Sequence, residues 1–153
     1  MKKSLFIIAV LVLTSCAAQT TFKTFYTENN QEADFNIGFS TSLIDSFLPD
    51  DDEELKELLK KAKHARVMVF SENWEKTNSN FNKFIRRSGY DKLVKIRDND
   101  ERISLYALDK KDVIKEIVVQ ISSGDELILI GLKTNLTYDD LSKMFSDNDI
   151  VLN

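Results

Sequence analysis

The sequence predicts an α+β domain: a largely antiparallel sheet of five to six strands, ending in a four-stranded meander, with helices packed on one face. Three observations predict it. From Tyr90 onward, runs of alternating apolar residues are separated by short clusters of Asp, Asn, Lys, Ser and Gly, the pattern of strands joined by tight turns. Ahead of them, apolar residues recur at three- and four-residue intervals in 20–31, 50–63 and 74–88, the period of amphipathic helices. A last helical pattern follows the final strand run.

In chain order, "TTFKTFYTENNQ" places Phe22, Phe25 and Tyr26 on one helical face. "DFNIGF" alternates as a short strand, and Ser40, Thr41 and Ser42 offer caps for a turn through Phe47 that Pro49 stops. Residues 50–63, "DDDEELKELLKKAK", begin acidic and end basic, as the helix dipole favours, with Leu55, Leu58, Leu59 and Ala62 in one stripe. "HARVMVF" reads as a buried strand. Residues 74–88 form a second long helix with Phe81, Phe84 and Ile85 inward, Trp74 packing on the same side, and Gly89 as a left-handed cap. The meander then runs "DKLVKI", "RISLYAL", "VIKEIVVQI" and "LILIGLK", with Ile103, Leu105 and Ala107, and Ile117, Val119 and Ile121, facing the core. The last of these strands is apolar on both sides, so it belongs at the centre or under cover. Thr137 with Asp140 three residues on resembles a capping box, with Leu141, Met144 and Phe145 inward.

The first fifteen residues have a different purpose. Lys2 and Lys3 precede nine apolar residues, Leu5 to Leu13, the grammar of an export signal. Nine residues rise only about 14 Å as a helix, too short to span a bilayer permanently. Leu13-Thr14-Ser15-Cys16 then matches a bacterial lipobox, predicting cleavage between Ser15 and Cys16 and lipid attachment to the Cys16 thiol. Cleavage near Ala17 or Ala18, releasing a soluble periplasmic protein, is the competing reading. Two or three acyl chains, palmitate among them, make a durable anchor where one does not. The chain therefore divides into a signal peptide (1–15), a lipidated N-terminus with a short amphipathic helix (16–33), and a single α+β domain (34–153). Five residues lie between Cys16 and Phe22, a reach of at most about 18 Å.

Residues 16–153 hold nineteen Lys and Arg against twenty-five Asp and Glu, a formal charge of −6. Such a surface does not suit a nucleic-acid backbone, which needs clustered cations. Cys16 is the sole cysteine, so the folded domain has no disulfide and relies on its apolar core. Patterns for catalysis are thin. His64, the sole histidine, falls between the acidic helix and the next strand without a paired thiol, a nucleophile elbow or a second metal-ligand motif. Gly38, Gly89, Gly124 and Gly131 are too scattered for a phosphate loop. "RDNDE" and "SDND" suit turns, where Asp and Asn bond the local backbone. No catalytic residue, cofactor site or metal site is predicted.

The lipobox, "FKTFY", "DDDEELKELLKKAKHARVMVF", "FNKFIRRSGYDKLVKI" and "VIKEIVVQISSGDELILIGLKTNLTYDDLSKM", in that order, resemble a family of small Bacteroidota cell-envelope lipoproteins known as domain of unknown function 4252. The resemblance implies a place in the cell envelope and no defined activity. After Cys16, "AAQTTF" lacks an acidic cluster resembling a surface-export signal, so the expected location is the outer membrane, facing the periplasm. The expected partners are the membrane, through the N-terminal lipid, and an envelope protein. The function expected is a non-enzymatic binding or interaction module near the membrane. The alternatives are a small envelope hydrolase assembled from distant residues, and an associating structural component using an exposed strand edge.

Overall fold

The structure is a computed structural model describing residues 20–42 and 60–146, with side-chain surroundings as far as residue 143. Helix α1 (Phe22–Asn29) precedes strands β1 (Phe35–Ser40) and β2 (His64–Phe70), then helix α2 (Trp74–Ser88). Strands β3 (Asp91–Asp98), β4 (Glu101–Lys110), β5 (Val113–Ser122) and β6 (Leu127–Thr137) follow, and helix α3 (Tyr138–Ser146) ends the described chain. The strands form one sheet in the order β1-β2-β6-β5-β4-β3, every neighbouring pair antiparallel. The α+β class and the C-terminal meander are as the sequence predicts. The doubly apolar strand β6 is interior, between β2 and β5.

Local chemistry explains the joints. Lys111 and Asp112 both adopt positive φ, 54° and 61°, as a two-residue hairpin with the twist of its flanking strands requires. Asn99 does the same between β3 and β4 with φ 50°. At the end of α2, Gly89 takes φ 76° and its amide bonds the Ile85 carbonyl, the left-handed cap that a residue with a β-carbon resists. Thr137 and Asp140 close a reciprocal box: Asp140 Oδ2 accepts from the Thr137 amide and hydroxyl, and Thr137 Oγ1 accepts from the Asp140 amide. The helix expected over 50–63 lies outside the described residues except for its end, where Lys60 and Lys61 are helical. The turn expected through Phe47, and the inward residues Met144 and Phe145, likewise lie outside the described residues or side chains.

The principal core lies between the sheet and the helices α1 and α2. Phe22, Phe25, Phe81 and Phe84 form an aromatic cluster with Tyr90 and Tyr106, with ring centroids 5.2 to 6.4 Å apart. They pack on Met68, Phe70, Leu108, Val118, Leu127 and Leu129. Burial of each such side chain contributes about 1.5–3 kcal/mol relative to exposure, so α1 is an integral part of the core. Trp74 is half-buried against the same cluster, as packing predicts.

Two expectations change. The sequence places Ile103, Leu105, Ala107, Ile117, Val119 and Ile121 on a face against a core, and Ala107 and Ile117 are indeed buried in one with Leu105 against it, but the larger core is on the other face, that of Tyr106, Leu108 and Val118. The polar residues alternating with those isoleucines and valines, Glu116 and Gln120, are themselves buried there. They are tolerated because each is hydrogen-bonded: Gln120 accepts from the Tyr106 hydroxyl at 2.8 Å and donates to Asn78. The second change concerns the helices. α1 and α2 share one face, whereas α3 takes the opposite one, where Leu141 packs with Ala107, Ile114, Ile117 and Leu136. That face is apolar across all six strands; one row runs Ile37, Val67, Ile130, Val119, Leu105 and Val94. A sheet apolar on both sides requires cover on both.

Candidate functional site

The first residue of α1 is where the described domain meets the segment leading back to Cys16. A helix start leaves backbone N–H groups without intrahelical partners, and Thr21, at the N-cap, makes no side-chain cap bond. The partners come from the sheet. The Phe22 amide donates to Glu116 Oε2 at 2.8 Å and to the Tyr90 hydroxyl at 2.9 Å, and Tyr90 donates its own proton to the same carboxylate oxygen. Glu116 is 6% exposed and Tyr90 7%. A negative carboxylate at the positive end of a helix dipole is electrostatically favourable. Burial, and then the neighbouring Glu116 charge, raise the Tyr90 phenol far above its ordinary range, so it stays a neutral donor. This triad is chemically a clamp. Its proton is spent in an internal hydrogen bond and its carboxylate holds the chain.

Gly131 completes the seat. It stands on β6 under the ring of Phe22, where a β-carbon would collide with that ring. The sequence pointed to none of this, because Glu116 reads as the solvent-facing partner in an alternating strand. The available signal was its position two residues from Val118, on a strand flanked by strands on either side; toward Ile114 a register shift breaks the alternation.

A cleft gathers around His64. It is open, about 540 Å³, and its described lining includes Ser40, Ser42, Lys60, Lys63 and His64. Thr41 is tied across it, its amide to the Lys63 carbonyl at 3.3 Å and its hydroxyl to the Ala62 carbonyl. His64 is exposed at the first position of β2. The described lining brings hydroxyls and lysines to it but no carboxylate, so a Ser-His-Asp relay is not assembled among these residues. Among the described residues, no group of three or more His, Cys, Asp and Glu is placed to hold a metal ion. Among them too, no helix is long and apolar enough to cross a membrane. Ser15 and Cys16, the predicted cleavage and lipidation residues, lie outside the described residues.

A family model described as Domain of unknown function (DUF4252) matches residues 22–144, from the first residue of α1 into α3. The chain belongs to this family. The DUF4252 match therefore begins at the residue whose amide is clamped, and it contains the sheet, the described lining of the His64 cleft and the Thr137–Asp140 box. No curated protein and no solved structure matches the chain.

Proposed function

We propose that this DUF4252 protein is a bacterial cell-envelope lipoprotein, anchored through Cys16 and acting near the membrane as a non-enzymatic binding or interaction module. One observation carries the reading: the lipobox cysteine stands six residues before Phe22, whose amide is fixed to Glu116 and Tyr90 inside the core. A lipid on Cys16 would thus be connected to a rigid body by a tether of at most about 18 Å. The resemblance to Bacteroidota envelope lipoproteins, and "AAQTTF" after the cysteine, support the periplasmic side of the outer membrane.

Mass spectrometry of the membrane-extracted protein tests the anchor. A mature chain beginning at Cys16 with the mass of diacylglycerol and an acyl group is the expected result, and Cys16→Ala should abolish membrane retention. A chain beginning at Gln19, cut after Ala18 and free in the periplasm, would overturn it. In-cell crosslinking, followed by identification of the captured protein, tests the binding role.

A further inference from the structure

The outer side of α2 differs in charge from the rest of the chain. Thr77, Phe81, Ile85 and Ser88 turn inward, while Lys76, Lys83, Arg86 and Arg87 are exposed with Glu75 as the only acid on the helix. The helix carries a formal charge of +3 within a mature chain of −6. Lys92 at the start of β3 lies over the Tyr106 ring, 5.4 Å from its centroid, and extends the basic character along the same sheet face. Between α1 and α2 opens a cleft of about 420 Å³, with Lys83 and Arg87 on the α2 wall and Glu28 the one acid in its described lining. Thr20, the first described residue, sits at its rim. The chain therefore departs toward Cys16 from the edge of the basic face.

We infer that the outer face of α2, together with the cleft it shares with α1, seats against an anionic phospholipid surface, with Lys83 and Arg87 receiving headgroup phosphates. This rests on the lipid anchor at Cys16 proposed above. The tether gives the face its opportunity, since about 18 Å of chain keeps the domain near the headgroups. Charge gives it the orientation. The cationic side is drawn to an anionic leaflet within a Debye length of about 8–10 Å, while the acidic remainder is repelled. Each Lys or Arg close to such a surface raises binding about fivefold.

The test uses the processed protein in vesicles of phosphatidylcholine alone or of phosphatidylcholine mixed with anionic phosphatidylglycerol, whose negative surface attracts basic segments. Amine labelling is read by mass spectrometry at Lys76 and Lys83 on α2, and at Lys143 on α3 across the sheet. Slower labelling of Lys76 and Lys83 in the anionic vesicles, with Lys143 unchanged and the effect removed by high salt, is the expected result. Equal labelling of Lys76 and Lys83 in both vesicle types overturns the inference. The intact mass of the same sample reads the anchor separately. If the chain carries no lipid, flotation replaces labelling: the protein should float with anionic vesicles only, and Lys83→Gln with Arg87→Gln should weaken that binding about 25-fold. Absence of flotation, or flotation indifferent to those substitutions in a variant with unchanged circular dichroism, overturns the inference as well.

Discussion

Phe22 occupies the space that a side chain at position 131 would need: a β-carbon on Gly131 would lie 2.0 Å from Phe22 Cδ1 and 2.6 Å from Cε1. The ring is 2% exposed and wedged against Phe25 and Phe81, so it cannot swing into solvent without dismantling the cluster. Gly131→Ala should destabilise the domain by about 1–3 kcal/mol, the usual cost of overpacking, or expel α1. Denaturant midpoints measure this. The double variant Phe22→Ala/Gly131→Ala should lose less than the two single losses summed, because the collision disappears with the ring; strict additivity would show that the two residues do not compete for space.

The Tyr90 clamp predicts an alkaline limit. Its phenol is raised above the ordinary value of 10.0 by burial first and by the Glu116 charge second. The unfolded chain therefore releases this proton at lower pH than the folded one, so the stabilisation is complete below pH 10 and is lost as pH rises beyond it. The contribution to the slope is about 1.4 kcal/mol per pH unit until the folded group ionises. Tyr106 is shifted in the same direction by its burial, so Tyr90→Phe should flatten the decline in part rather than abolish it. At neutral pH the same variant should cost about 1–3 kcal/mol, since the buried carboxylate loses a donor. Urea unfolding at a series of pH values reads both effects.

At the other face, Lys61 reaches Asp140 on α3 at 2.6 Å. That ammonium first, and then the Thr137 amide and hydroxyl, hold the Asp140 carboxyl well below the usual carboxylate range. A lowered carboxyl contributes stability above the unfolded value of 3.8 and loses it as pH falls through the folded one. Hydrogen exchange at α3 amides should therefore stay slow at pH 4, where an unpaired Asp is already partly protonated. Lys61→Met should move the onset of α3 exchange to higher pH, and an unchanged acid profile would count against the pairing.

Gly89 predicts a simple loss. With φ at 76°, Gly89→Ala should lower stability by about 1–2 kcal/mol through the left-handed backbone alone, since nothing lies within 4 Å of the added β-carbon. Thermal denaturation checks the size, and Gly89→Asn should recover part of it because Asn tolerates that conformation.

What could be read from the sequence was local in origin. Gly89 after an amphipathic run, Thr137 followed by Asp140, and polar pairs between alternating strands each carry their signal within a few residues, and each appears where expected. Whatever depends on which face of the sheet is more deeply covered was not readable. In β4 and β5 both faces pack, so alternation pointed to the isoleucines and valines and passed over Tyr106 and Glu116. Glu116 takes its role from Phe22, 94 positions away, and no period in a window of ten residues encodes that distance. The placement of α3 follows similarly from the second apolar face rather than from its own amphipathic pattern.

The strand order carries a further consequence, for the manner in which the chain becomes a protein. β6, which joins β2 to β5, is the last of the described strands in sequence, and it also carries the glycine on which Phe22 rests. A chain emerging from its N-terminal end can pair β1 with β2, and β3 with β4 and β5, but these remain two separate ribbons with exposed apolar edges until β6 arrives between them. Non-local closure of this kind is slow and leaves unpaired strands accessible meanwhile. The beginning of the domain is thus secured by almost the last part to emerge, and a chain truncated before Leu127 would present two sticky halves with no seam to join them.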